Sequence, residues 1–64
     1  MTPMFVTFIM AGQLYENYLL RVKKSNFTDA AMRTEIAVVT GYGEEDVTIV
    51  HFERAKKVGR RYVI

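Results

Sequence analysis

The chain has no cysteine and no tryptophan, and it carries one proline, one histidine and one serine. Without cysteine there is neither a disulfide nor a thiolate metal site, and a lone histidine cannot complete a structural zinc centre. The same scarcity weakens any case for nucleophilic catalysis, which needs a nucleophile, a base and a group that orients the base. Ser25 and His51 stand far apart in the sequence, and His51 falls inside a strand pattern. Long apolar runs are missing too. The opening stretch as far as Ala11 is well short of the ~20 residues that span a bilayer, contains Pro3 and has no basic leader. The expectation is a cytoplasmic protein with no membrane association, no metal and no cofactor.

Half of the residues are apolar and a quarter are charged, the balance of a globular chain rather than a disordered one. Sixty-four residues predict one domain, 1–64, small enough to bury only about 60% of its unfolded surface. Domains of this size often rely on disulfides, a metal or a partner. With the first two excluded, association with another chain is the remaining device. The net charge of +2 is unevenly placed: residues 1–52 hold four basic against six acidic side chains, a sum of −2. Residues 53–64 hold five basic against one acidic, a sum of +4, so the pI near 9.2 describes a basic tail, 54–64, on a mildly acidic body.

Among the elements that are present, the stretch Met4–Met10 organises the others. Alternation puts Met4, Val6, Phe8 and Met10 on one face and Phe5, Thr7 and Ile9 on the other. One polar residue in seven predicts an interior strand buried on both faces. Gly12 then supplies the positive φ of a tight turn. A half-exposed second strand follows over Leu14–Lys23, with Tyr18, Leu20 and Val22 on one side. Tyr15, Asn17, Leu19, Arg21 and Lys23 fall on the other.

Lys24-Ser25-Asn26 leads into a helix predicted at Asp29–Thr40. Thr28 is placed to cap it, Phe27 and Met32 have the spacing of a hydrophobic staple, and Asp29 suits the positive end of the helix dipole. Met32, Ile36 and Val39 form its apolar face, and Gly41 provides the stop. An acidic turn, Tyr42–Asp46, precedes a third strand at Val47–Arg54. A helix between strands two and three fits a β-α-β crossover, with the two-sided first strand between them. The predicted fold is a small α+β domain, ββαβ, with a three-stranded sheet in the order 2-1-3 covered on one face by one helix. The tail either stays mobile or returns as a short edge strand through Tyr62–Ile64.

No pattern of catalytic chemistry stands out. Glu44-Glu45-Asp46 lies beside a Gly-rich turn and lacks the alternating ligands of a calcium loop. Thr40-Gly41-Tyr42-Gly43 follows a helix rather than preceding one, so it cannot offer a helix N-terminus to a phosphate. The expectation is a protein that is not an enzyme.

The order of a hairpin, a Thr-capped helix opening TDAAMRTE, an acidic Gly turn, a V-T-x-V strand and a basic tail resembles the small T7-type phage inhibitors of bacterial RNA polymerase. The likeness runs in outline from Met4 to Arg54, and its letter-level matches lie around Thr28–Ala31 and Val47–Val50. The chain departs from that family in its basic balance and its apolar first strand. The resemblance implies a small phage protein that occludes a host enzyme such as RNA polymerase or a defence nuclease, with Arg54 as the basic position that carries over.

Three functions are compatible with these features. The first is a non-enzymatic protein-binding module using a sheet face that one helix leaves bare, with Phe5, Ile9, Tyr15, Arg54 and Tyr62 as partner-binding candidates. The second is nucleic-acid binding through Lys56, Lys57, Arg60 and Arg61, with help from Arg21, Lys23 and Lys24. The third is self-association, or completion of a larger assembly, through the same open face. Against the first and third stands the alternative that the tail or the hairpin folds across that face and hides it.

Overall fold

The computed structural model describes residues 1–23 and 27–64. Its elements are β1 (Thr2–Met10), β2 (Gln13–Val22), α1 (Asp29–Thr40), β3 (Val47–Arg54), β4 (Lys56–Val58) and β5 (Arg61–Val63), with a single 3-10 turn at Glu44–Asp46. β1 pairs antiparallel with both β2 and β3, giving the order β2-β1-β3. β2 and β3 therefore run in the same direction, and the intervening helix is the expected crossover. β1 takes the centre because it alone is apolar on both faces.

The β1–β2 turn is Ala11-Gly12, with φ of 53° and 77°. Two positive φ values in a two-residue loop are the type I′ geometry, whose twist matches that of the flanking strands. Past this turn the ladder is irregular. Val6 faces Tyr18 but Phe8 faces Tyr15, so Glu16 and Asn17 together oppose Thr7. On the other side Thr7 faces His51 and Phe8 faces Ile49, which leaves Val50 as an extra residue. Both flanking strands thus bulge at the level of Thr7. Asn17 holds φ 53°, and its N–H donates to the Thr7 hydroxyl at 3.1 Å.

The β2 bulge corrects the expected faces of that strand. Alternation put Tyr15 on the side of Leu19 and Arg21. The extra residue turns it to the helix side, where it stacks on Phe8 with ring centroids 5.0 Å apart. Tyr18 meets the same ring edge-on at 5.8 Å. Offset and T-shaped pairs of this kind satisfy the ring quadrupoles.

The core lies between this sheet face and the helix. Met4, Val6, Phe8, Met10, Leu20, Val22, Met32, Ile36 and Val47 are all buried, with Tyr15, Phe27, Ile49 and Phe52 packed at its margin. The helix has the predicted bounds. Thr28 Oγ1 accepts from the Ala31 N–H at 3.1 Å, and Gly41, at φ 82°, donates its N–H to the Ala37 carbonyl. Thr28→Ala should cost about 1 kcal/mol, and a thermal melt identical to that of the unmodified protein would show that the cap contributes nothing. The lead-in Lys24–Asn26 lies outside the described residues.

Two further expectations need correction. Val39 was expected on the apolar face with Met32 and Ile36, yet it is 52% exposed. The short strand expected at the end of the tail is present, as β5, but it joins no edge of the main sheet. Ala55 continues the β3 ladder by donating its N–H to the Pro3 carbonyl at 3.0 Å. The chain then doubles back as a separate two-stranded ribbon, β4–β5, paired Lys56 to Val63, Lys57 to Tyr62 and Val58 to Arg61. Gly59, at φ 63°, opens its two-residue loop, the glycine position of a type II′ turn.

Candidate interaction surfaces

The register sorts the sheet face away from the helix into rows. Phe5 stands between Leu19 and Glu53, Thr7 between the β2 bulge and His51, and Ile9 between Leu14 and Thr48. Two apolar cross-strand pairs, Phe5–Leu19 and Ile9–Leu14, are thus separated by a polar row. They are not equally covered. Phe5 and Leu19 are half-buried, whereas Ile9 is 42% and Leu14 55% exposed. β1 is therefore fully buried on its helix face and only partly covered on the other, where burial on both was expected.

The ribbon reaches this face at the Phe5 end. Arg21 projects there opposite Pro3, and its guanidinium lies 5.6 Å from the centre of the Tyr62 ring, within the range of a cation–π contact. In the next polar row, His51 Nε2 is 3.6 Å from Glu53 Oε1, and both side chains are solvent-accessible.

The five partner-binding candidates divide between the two faces. Phe5 and Ile9 share the outer face, and Tyr62 joins them through Arg21. Tyr15 is on the helix side, with its hydroxyl donating to Gln13 Oε1 at 3.0 Å. Arg54 is also on that side, opposite Met4, with its guanidinium 5.6 Å from the Phe27 ring centre. Leu14 and Leu19 complete the outer-face pairs and were not among the candidates. The signal that could have found Leu14 is Asn17, a residue type that tolerates left-handed backbone and so marks a possible bulge.

The nucleic-acid candidates Lys56, Lys57, Arg60 and Arg61 all lie on the ribbon and are exposed. Adjacent strand residues point to opposite faces, so Lys56 and Arg61 occupy one face, Lys57 the other, and Arg60 the tip. Lys24 lies outside the described residues. The acidic residues Glu44, Glu45 and Asp46 sit at the far end of β3, where the Thr34 hydroxyl is 2.6 Å from Glu44 Oε1. Basic and acidic ends are thereby separated by the eight residues of β3, roughly 25 Å.

The class these features define is a small α+β domain with one sheet face open at one end and a basic ribbon at the other. Among the described residues no helix is long and apolar enough to cross a membrane. Comparison with family models, with curated proteins and with solved structures finds no match in any of the three.

Proposed function

We propose that the chain is a non-enzymatic protein-binding module whose contact surface is the open end of the outer sheet face, and that it works by occluding a host enzyme as a small phage-encoded inhibitor. The observation that carries the reading is the exposed Ile9–Leu14 pair. Two large aliphatic side chains sit directly opposite each other on adjacent strands, with the half-buried Phe5–Leu19 pair on the same face beyond the Thr7 row. Exposed apolar clusters of this kind favour contact with a partner over solvent. The occluding role rests on the resemblance of the order of elements to the T7-type inhibitors.

Ile9→Ser combined with Leu14→Ser tests the reading, since neither side chain belongs to the buried core. The unmodified protein, used as bait in nuclease-treated bacterial lysate, should retain a protein that the double variant releases. Loss of two central anchors should weaken that complex by tenfold or more. Stoichiometric addition should inhibit the captured protein when it is an enzyme. Equal retention by both baits, or no protein retained once nucleic acid is removed, would overturn the proposal. A dimer in sedimentation that the same two substitutions dissociate would instead identify the face as a self-association surface.

A further inference from the structure

We propose that the β4–β5 ribbon is a duplex-DNA-binding element that enters the major groove by its Arg60 tip and seats phosphates against Lys56, Lys57, Arg60 and Arg61. This goes beyond the protein-binding reading and uses a different surface. The first observation is segregation. The four cations gather on one short ribbon while the acidic turn Glu44–Asp46 lies at the opposite end of β3. Among the described residues the only basic–acidic side-chain contact is His51 with Glu53, so none of the ribbon charges has a carboxylate within ion-pair distance there. Like charges held together without counter-ions repel one another and attract a polyanion.

The second observation is their distribution over the ribbon. A flat acidic protein surface or a lipid headgroup layer would be met by charges on one face. Here Lys56 and Arg61 occupy one face, Lys57 the other and Arg60 the turn. That arrangement suits a groove with an anionic wall on each side. A two-stranded ribbon with side chains on both faces is about 10 Å thick, and the B-DNA major groove is about 12 Å wide and admits such a ribbon. The Arg21–Tyr62 contact ties the base of the ribbon to the sheet, and Arg60 at the tip is exposed. The mode is sequence-independent, because phosphate contacts position a protein without reading bases.

The test is fluorescence anisotropy of a labelled DNA duplex titrated with the full chain at increasing salt. With four phosphates engaged, the slope of log affinity against log salt should be about −3.6, a loss of about 150-fold between about 50 and about 200 mM. Replacing Lys56, Lys57, Arg60 and Arg61 together by serine should abolish binding. Arg60→Ser alone should weaken it at every sequence and flatten the slope by about 0.9, which keeps the proposal testable should the fourfold variant be unstable. Ile9→Ser with Leu14→Ser should leave DNA binding unchanged, so this proposal and the protein-binding one fail separately. Duplex RNA should bind less well, its major groove being too deep and narrow to enter. Equal or tighter binding to single-stranded DNA, to polyglutamate or to anionic vesicles would overturn the groove assignment. So would a salt-independent affinity, or undiminished binding by the serine variants.

Discussion

Phe8→Ala should destabilise the domain by about 3–5 kcal/mol, enough to leave much of it unfolded, since the margin of a whole small domain begins near 5 kcal/mol. Phe8 is 1% exposed at the middle of the central strand, so the space its ring vacates has no route to solvent. The ring is also the meeting point of two others, Tyr15 stacked on it and Tyr18 against its edge. Truncation removes both contacts together with the packing against the helix side of the core. Urea denaturation followed by tyrosine fluorescence measures the effect. An unchanged midpoint would mean that the ring is not packed as described.

The parts of this fold that are legible in the sequence are those set by local chemistry. Thr28, Asp29 and Gly41 each perform a distinct task at a helix end, so the bounds of α1 follow from single residues. The two-sided apolar character of Met4–Met10 places it centrally without reference to other strands. The bulges are harder to see because alternation carries no mark of an extra residue, and each one reverses the face of everything beyond it. Tyr15 was misplaced for that reason. Thr7, the one polar residue in the central stretch, has its physical explanation only in the fold: its hydroxyl accepts the N–H of Asn17 at the bulge. Of the ribbon only the second strand was legible, as a short strand through Tyr62–Ile64; its partner Lys56–Val58 was not, because strands of three residues are too short for a period of two to show. The outer face was only partly legible for the same reasons. Phe5 and Ile9 follow from β1 alone, whereas Leu14 requires the bulge and the position of Tyr62 requires the ribbon.

Ile36→Ala and Val39→Ala should separate sharply, although the sequence pattern treats the two residues alike. The helix holds to the sheet through two fully buried side chains, Met32 and Ile36, each 0% exposed. Removing either aliphatic body from such a site costs about 2–5 kcal/mol. A helix of 12 residues is marginal when isolated in water, so weakening its attachment should not give an intermediate with the sheet intact. Once the helix leaves, Met4, Val6, Phe8 and Met10 are open to solvent, and the sheet loses its core at the same time. For Ile36→Ala, circular dichroism at the helical wavelength and tyrosine fluorescence should therefore report one coincident transition, shifted to lower denaturant. Val39→Ala should fall within about 0.5 kcal/mol of the unmodified protein. Its side chain is half in water, and alanine's better helix propensity offsets the little apolar contact that is lost. Comparable destabilisation by the two variants would show that Val39 is packed as tightly as Ile36. Separate transitions for helix and sheet in Ile36→Ala would show that the sheet stands without its helix.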